Sequence, residues 1–152
     1  QEFWLLADIQ RCRASTRLAS EGNRVKNILI VEDSATMRSL LTSTLKDLDV
    51  PVKLSEACSG FEALRFLPRE DYDLVVTDIN MPDINGLELV SFMKGSAKYR
   101  SIPLIIVSTE GSERDRDKGL RLGADAYIVK PFEPEALREV ARNLLARAGT
   151  RE

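Results

Sequence analysis

Four short stretches of this 152-residue chain carry side chains that could do chemistry together. Glu32-Asp33 sets two carboxylates side by side, and Asp78 adds a third with Asn80 two residues on. Ser108-Thr109-Glu110 offers two hydroxyls and an acid, and Lys130 an ammonium just before Pro131. Each stretch ends an apolar run: ILIV before Glu32, LVVT before Asp78, LIIV before Ser108, AYIV before Lys130. The chain has no histidine, which removes Ser-His and Cys-His catalysis, imidazole metal sites and a phosphohistidine relay within the chain. Carboxylate, hydroxyl, ammonium and metal chemistry remain. Taken singly, the residues have bland readings. An Asp after a strand more often caps a helix or turns in solvent, Ser108 reads as a cap, and Lys130 as surface charge. Their joint placement at several strand ends carries the functional reading.

The elements that must position them follow from hydrophobic period. The four apolar runs are short and mostly β-branched, as buried strands are, and Val52–Ala57 makes a fifth. Between them lie helical patterns. The first starts at Ser34, the candidate N-cap, with Met37, Leu40, Leu41, Leu45 and Leu48 in helical spacing. The second runs from Gly60 to Leu67 and is stopped by Pro68. A third begins at Gly86, a highly charged fourth spans 112–123 with Leu120 and Leu122 as anchors, and a last one covers Glu135 to Ala146. Five alternating β/α units predict an α/β fold: a doubly wound, five-stranded parallel sheet with right-handed crossovers and helices on both faces. Residues 27–148 form this domain and 149–152 a short tail. Residues 1–26 stand apart as an extra N-terminal segment, with a helix expected over 1–14 and a polar linker over 15–26, a remnant of a preceding domain or an appended sequence.

In a parallel sheet all strands end at one edge. Three carboxylates gathered there repel and raise one another's pKa unless a cation joins them. A hard divalent ion with oxygen ligands answers this, and Mg²⁺ suits a site of few carboxylates plus water and phosphate oxygens, with Mn²⁺ as its substitute.

Composition narrows the rest. With 43% hydrophobic and 30% charged residues and a net charge of −2, acids and bases interleaved, no basic stripe for nucleic acid or membrane surface is present. The apolar runs are too short to span a bilayer and no signal sequence opens the chain, so a cytoplasmic protein is expected. Cys12 and Cys58 read as free thiols.

The stretches ILIVEDSATMRSLL, LVVTDINMPDINGLELV, PLIIVSTEG and GADAYIVKPF, in this order and spacing, resemble the receiver domain of two-component response regulators, of the CheY-like chemotaxis type. The likeness runs through about residues 27–147. It implies the flavodoxin-like (β/α)5 fold and makes Asp78 the phosphoacceptor. Glu32, Asp33 and Asp78 would hold Mg²⁺ with the main-chain carbonyl of Asn80, Glu32 through water. Lys130 would pair with Asp78 at rest and with a phosphoryl oxygen afterwards. Ser108 would turn its hydroxyl onto the phosphoryl group, Tyr127 would report by moving inward, and the Lys130–Pro131 bond would be cis. The donor would be a histidine kinase or a phosphotransfer protein. The target would be a protein meeting the face formed by helix 112–122, strand 126–129 and the last helix. Such a domain is a phosphoacceptor with self-phosphorylation and slow hydrolysis, and no turnover enzyme.

Four positions depart from the commoner family pattern or tune it. Glu32 stands where an Asp is usual, and Thr109 where a smaller Ala is frequent, narrowing access to Asp78. Asn80 and Glu110 occupy positions that set hydrolysis rates in the family. The charged run Arg114 to Lys118 points to a partner read by electrostatics. Two rival readings are weaker. An aspartyl-nucleophile phosphohydrolase needs a second acid where Asn80 stands, and an amide cannot shuttle a proton. A pseudo-receiver acting only as an interaction module, or a receiver fragment of a larger regulator, leaves the complete acid, hydroxyl and ammonium set without a use or without its other half.

Overall fold

A computed structural model describes residues 24–148 and, as backbone, residues 3–5. Its strands are β1 (Phe3–Leu5), β2 (Lys26–Val31), β3 (Val52–Ala57), β4 (Leu74–Thr77), β5 (Leu104–Ser108) and β6 (Ala126–Val129). Its helices are α1 (Ala35–Lys46), α2 (Gly60–Phe66), α3 (Gly86–Lys94), α4 (Glu113–Leu122) and α5 (Pro134–Ala148). One sheet runs β1-β6-β5-β4-β2-β3, and β2 to β6 are mutually parallel. The doubly wound five-stranded parallel sheet is the one expected from the sequence.

Alternation along each strand sorts the core into two halves. Ile28, Ile30, Leu74, Val76, Ile105, Val107 and Ile128 face Leu41, Leu45, Leu137, Val140 and Leu144 of α1 and α5. Leu29, Val31, Val75, Leu104, Ile106 and Tyr127 face Ala63, Leu89, Val90 and Met93 of α2 and α3, with Leu120 of α4. Ile28 to Val31 are wholly buried, each contributing about 1.5–3 kcal/mol of apolar transfer. Burial on both faces is why these strands read as continuous apolar runs. Polar side chains start four helices. Ser34, Ser59 and Ser112 cap α1, α2 and α4, and Asn85 with Glu88 makes a capping box at α3.

Two features differ from expectation. Pro68 does not simply stop α2: it sits inside a 3-10 turn, Leu67–Arg69, that extends the helix, because a first-turn position needs no N–H from proline. Within the expected N-terminal helix, residues 3–5 form a strand instead. Phe3, Trp4 and Leu5 pair antiparallel with Ile128, Tyr127 and Ala126. An edge strand presents a row of unpaired N–H and C=O groups, and an extended segment satisfies them better than a short isolated helix can. The remainder of the expected helix and linker up to residue 23, with Cys12, and the tail 149–152 lie outside the described residues.

Candidate functional site

Strands β2 and β4 lie on either side of the point where the strand order reverses, the place where open α/β sheets form a crevice. Backbone bonds set both carboxylate turns there. The Asp78 N–H donates to Val31 O (3.1 Å) and the Glu32 N–H to Ala57 O (3.0 Å). The turn after Asp78 is pulled tight by Gly86, whose N–H donates to Ile79 O at 2.8 Å. A Cβ at Gly86 would stand 2.0 Å from the Asp78 carbonyl oxygen, so only glycine allows α3 to start there. Asp78 Oδ1 in turn accepts the Ile79 N–H at 2.7 Å.

Glu32 is held on every side. Its Oε2 accepts the Ser34 N–H (3.1 Å), its Oε1 accepts from Lys130 Nζ (3.1 Å), and its carbonyl accepts from Arg38 Nη1 (2.8 Å). Burial raises the Glu32 pKa above its ordinary value, and the Asp78 charge adds to the rise against the opposing Ser34 N–H and Lys130. One oxygen from each of Glu32, Asp33 and Asp78 lies within 4.8 Å of the others; Glu32 and Asp78 are buried and Asp33 is exposed. Lys130 Nζ stands 3.5 Å from Asp78 Oδ2. The resting hydrogen bond of Lys130 therefore goes to Glu32, where the longer Glu arm meets it, and its expected pairing with Asp78 is the looser ion pair. The Lys130–Pro131 bond is cis, and the Lys130 N–H donates to Ser108 O at 2.8 Å.

Ser108 and Tyr127 connect through Glu110. The buried Ser108 hydroxyl accepts the Glu110 N–H (3.1 Å), and the Tyr127 hydroxyl donates to the Glu110 carbonyl (2.5 Å). The Glu110 side chain accepts from Asn80 Nδ2 at 3.2 Å, so the two positions expected from the resemblance to tune hydrolysis touch. Thr109 is exposed beside them. Tyr127 is fully buried, and burial pushes its phenol up to about 12. The tyrosine expected to move inward is already inward here. Two further residues support the site without a local sequence signal. Arg38 ties the Glu32 carbonyl to Glu56 on β3 (3.3 Å), and Asp83 accepts the Phe61 N–H (2.9 Å), joining the loop after Asp78 to α2. Both contacts bridge residues far apart in the chain.

Three clustered carboxylates facing one ammonium leave net negative charge, and the donors are all hard oxygens. That set fits Mg²⁺, which binds through a few carboxylates and keeps waters for a phosphate oxygen to replace.

Comparison with known proteins agrees with this geometry. A model of the response regulator receiver domain matches residues 28–142. A chemotaxis protein CheY homologue of Campylobacter jejuni is 42% identical over 119 residues, 78% of this chain and 91% of its own. The chemotaxis protein CheY1 of Helicobacter pylori is 40% identical over 113 residues, 74% of this chain and 90% of its own. The solved chemotaxis protein CheY4 of Vibrio cholerae superposes with a TM-score of 0.70 at 30% identity, covering 80% of this chain and 99% of that one.

Proposed function

The chain belongs to the response regulator receiver family, and from that premise we propose that it is a phosphorylation-controlled switch with Asp78 as phosphoacceptor. A carboxylate oxygen of Asp78 attacks the phosphorus of a phosphohistidine on a separate kinase or phosphotransfer protein. The P–N bond breaks, its electron pair returns to the donor imidazole, and an aspartyl phosphate forms. The observation that carries this reading is the gathering of three carboxylate oxygens within 4.8 Å, with Lys130 reaching two of those acids.

Glu32, Asp33 and Asp78, with the Asn80 main-chain carbonyl, would hold Mg²⁺ or Mn²⁺. The ion supplies charge neutralisation for the phosphoryl oxygens when bound. Lys130 keeps Glu32 and Asp78 together at rest and turns to a phosphoryl oxygen once Asp78 is esterified. Ser108 then trades the Glu110 N–H for another phosphoryl oxygen. That exchange loosens the 108–112 turn, whose far end starts α4, and biases a two-state surface. Because Tyr127 is already seated against the Glu110 carbonyl, phosphorylation acts by resetting the loop beneath it. The Asn80–Glu110 bond stands at the mouth of the site and sets how readily water reaches the ester, with Thr109 narrowing the approach. The chain has no histidine, and position 80 holds an amide where a phosphohydrolase needs a general acid, so the domain loads and slowly unloads phosphate.

The output surface is the α4, β6 and α5 face. On α4, Glu113, Arg114, Asp117, Lys118 and Arg121 are exposed, which suits a protein partner recognised through charge. No described helix is long and apolar enough to cross a membrane, and a kinase-fed switch of this kind works in the cytoplasm. The test is intact-mass spectrometry after incubation with acetyl phosphate, with Mg²⁺ or with chelator. A single phosphoryl adduct that needs Mg²⁺ is expected; its absence in both arms would leave the interaction-module reading standing.

A further inference from the structure

Helix α4 buries one residue, and that residue is Gly119. Leu120 and Leu122 pack only in part. Glycine weakens a helix interior, and Gly119 is not required by backbone conformation, since only Gly123 among the described glycines has a positive φ. Space explains it. A Cβ on Gly119 would lie 2.9 Å from Ile106 Cδ1 and 3.2 and 3.3 Å from Cδ2 and Cε2 of Tyr127. The volume that a side chain of α4 would fill is filled from the sheet side by the Ile106 methyl and by the tyrosine ring. The Ile106 methyl is the tip of a flexible chain and can turn aside, whereas the ring is a rigid plane that must move as a whole.

We propose that Gly119 is the positioning residue for Tyr127: the absent side chain admits the inward ring and ties the seat of α4 to that orientation. With the ring in place, α4 rests on it and the hydroxyl reaches the Glu110 carbonyl. With the ring out, a void opens beneath Gly119, the one buried residue of α4, and the helix must resettle over it. Tyrosine orientation and helix position thus form one two-state unit. Its consequence for signalling rests on the switch reading above; the orientation itself does not.

The test uses the full unphosphorylated chain carrying 3-fluorotyrosine, read by ¹⁹F NMR. Of the three tyrosines, the Tyr127 resonance is assigned with Tyr127→Phe. Gly119→Ala is expected to move or split that resonance toward the solvent-exposed position while leaving Tyr72 and Tyr99 unchanged; an unchanged Tyr127 signal overturns the proposal. A thermal-unfolding cycle adds a sign. Gly119→Ala lowers Tm when Tyr127 is present and raises it in the Tyr127→Ala background, where the better helix former has room. The same sign in both backgrounds also overturns it. Should Tyr127→Ala lose its unfolding transition, the fluorine signal of Gly119→Ala alone decides. The acetyl phosphate adduct is read separately, and its absence would sink the switch reading without touching the orientation result.

Discussion

Lys130→Met should cost stability in a way that depends on pH and on divalent ion. The ammonium lies 3.1 Å from Glu32 and 3.5 Å from Asp78, and the three side chains are only 10%, 2% and 9% exposed. Removing one member of a buried ion pair costs about 3–5 kcal/mol, because the partner charge stays buried without compensation. Here two carboxylates are stranded, but a carboxylate can take up a proton to escape, so the lower end of about 3 kcal/mol is expected at pH 7.5, a fall in Tm of roughly 10 °C. The sign with pH follows from Glu32, whose pKa in the folded protein is already raised. A carboxyl raised on folding adds stability below its unfolded pKa and loses it as pH climbs through its folded pKa. Without Lys130 this rise is larger, so the penalty shrinks as pH drops toward 5. Mg²⁺ should recover more stability in the variant than in the wild type, since it answers the same charge. Urea unfolding at both pH values, with Mg²⁺ or chelator, measures all of this. A penalty below about 1 kcal/mol, the size of a surface pair, or one independent of pH, would refute the buried-charge account.

Four further outcomes follow from the same geometry. Mg²⁺ at a hundred times its dissociation constant should stabilise the wild type by about 2.7 kcal/mol, and Asp33→Asn should lose most of that gain in a thermal-shift titration. Tyr127→Phe should cost about 1 kcal/mol for the lost bond to the Glu110 carbonyl, read by denaturant unfolding. Because its phenol is pushed up to about 12, Tyr127 contributes stability below pH 10 that is lost as pH rises toward 12, so absorbance titration should find one tyrosine ionising late. Gly86→Ala should abolish phosphoryl uptake at Asp78, because its Cβ meets the Asp78 carbonyl at 2.0 Å and that backbone cannot move without opening the site; normal adduct formation in the variant would show the turn to be looser than described.

The site was legible because parallel strands end at one edge, so residues at strand ends can be gathered without knowing any distance. The β2, β4, β5 and β6 runs are apolar and bounded by polar turns, while the edge strand β3 keeps Lys53 and Glu56 exposed, and Ser34 caps α1 through its hydroxyl (3.2 Å to the Met37 N–H) as its position predicts. What failed depends on partners distant in sequence. A three-residue strand such as Phe3–Leu5 has no period of its own, and only the open edge of β6 makes it a strand. Arg38 and Asp83 act across 18 and 22 residues. No pattern tells which acid Lys130 prefers, because side-chain reach decides it: Glu32 is one methylene longer than the usual Asp and takes the bond. Leu120 and Leu122 pack against the core as the sequence suggests, in part, but nothing in the sequence marks Gly119 as the buried residue of α4, because only the Tyr127 ring and Ile106 methyl beside it leave no room for a side chain.

The central claim is that Asp78 itself carries the phosphoryl group. After loading with acetyl phosphate and Mg²⁺, borohydride reduction converts an aspartyl phosphate to homoserine, and peptide sequencing by mass spectrometry locates the change. The account predicts homoserine at position 78 alone, none without Mg²⁺, and none in Asp78→Asn. Homoserine at Glu32's neighbour Asp33, or a phosphoryl group mapped to Ser108 or Thr109 instead, would contradict it.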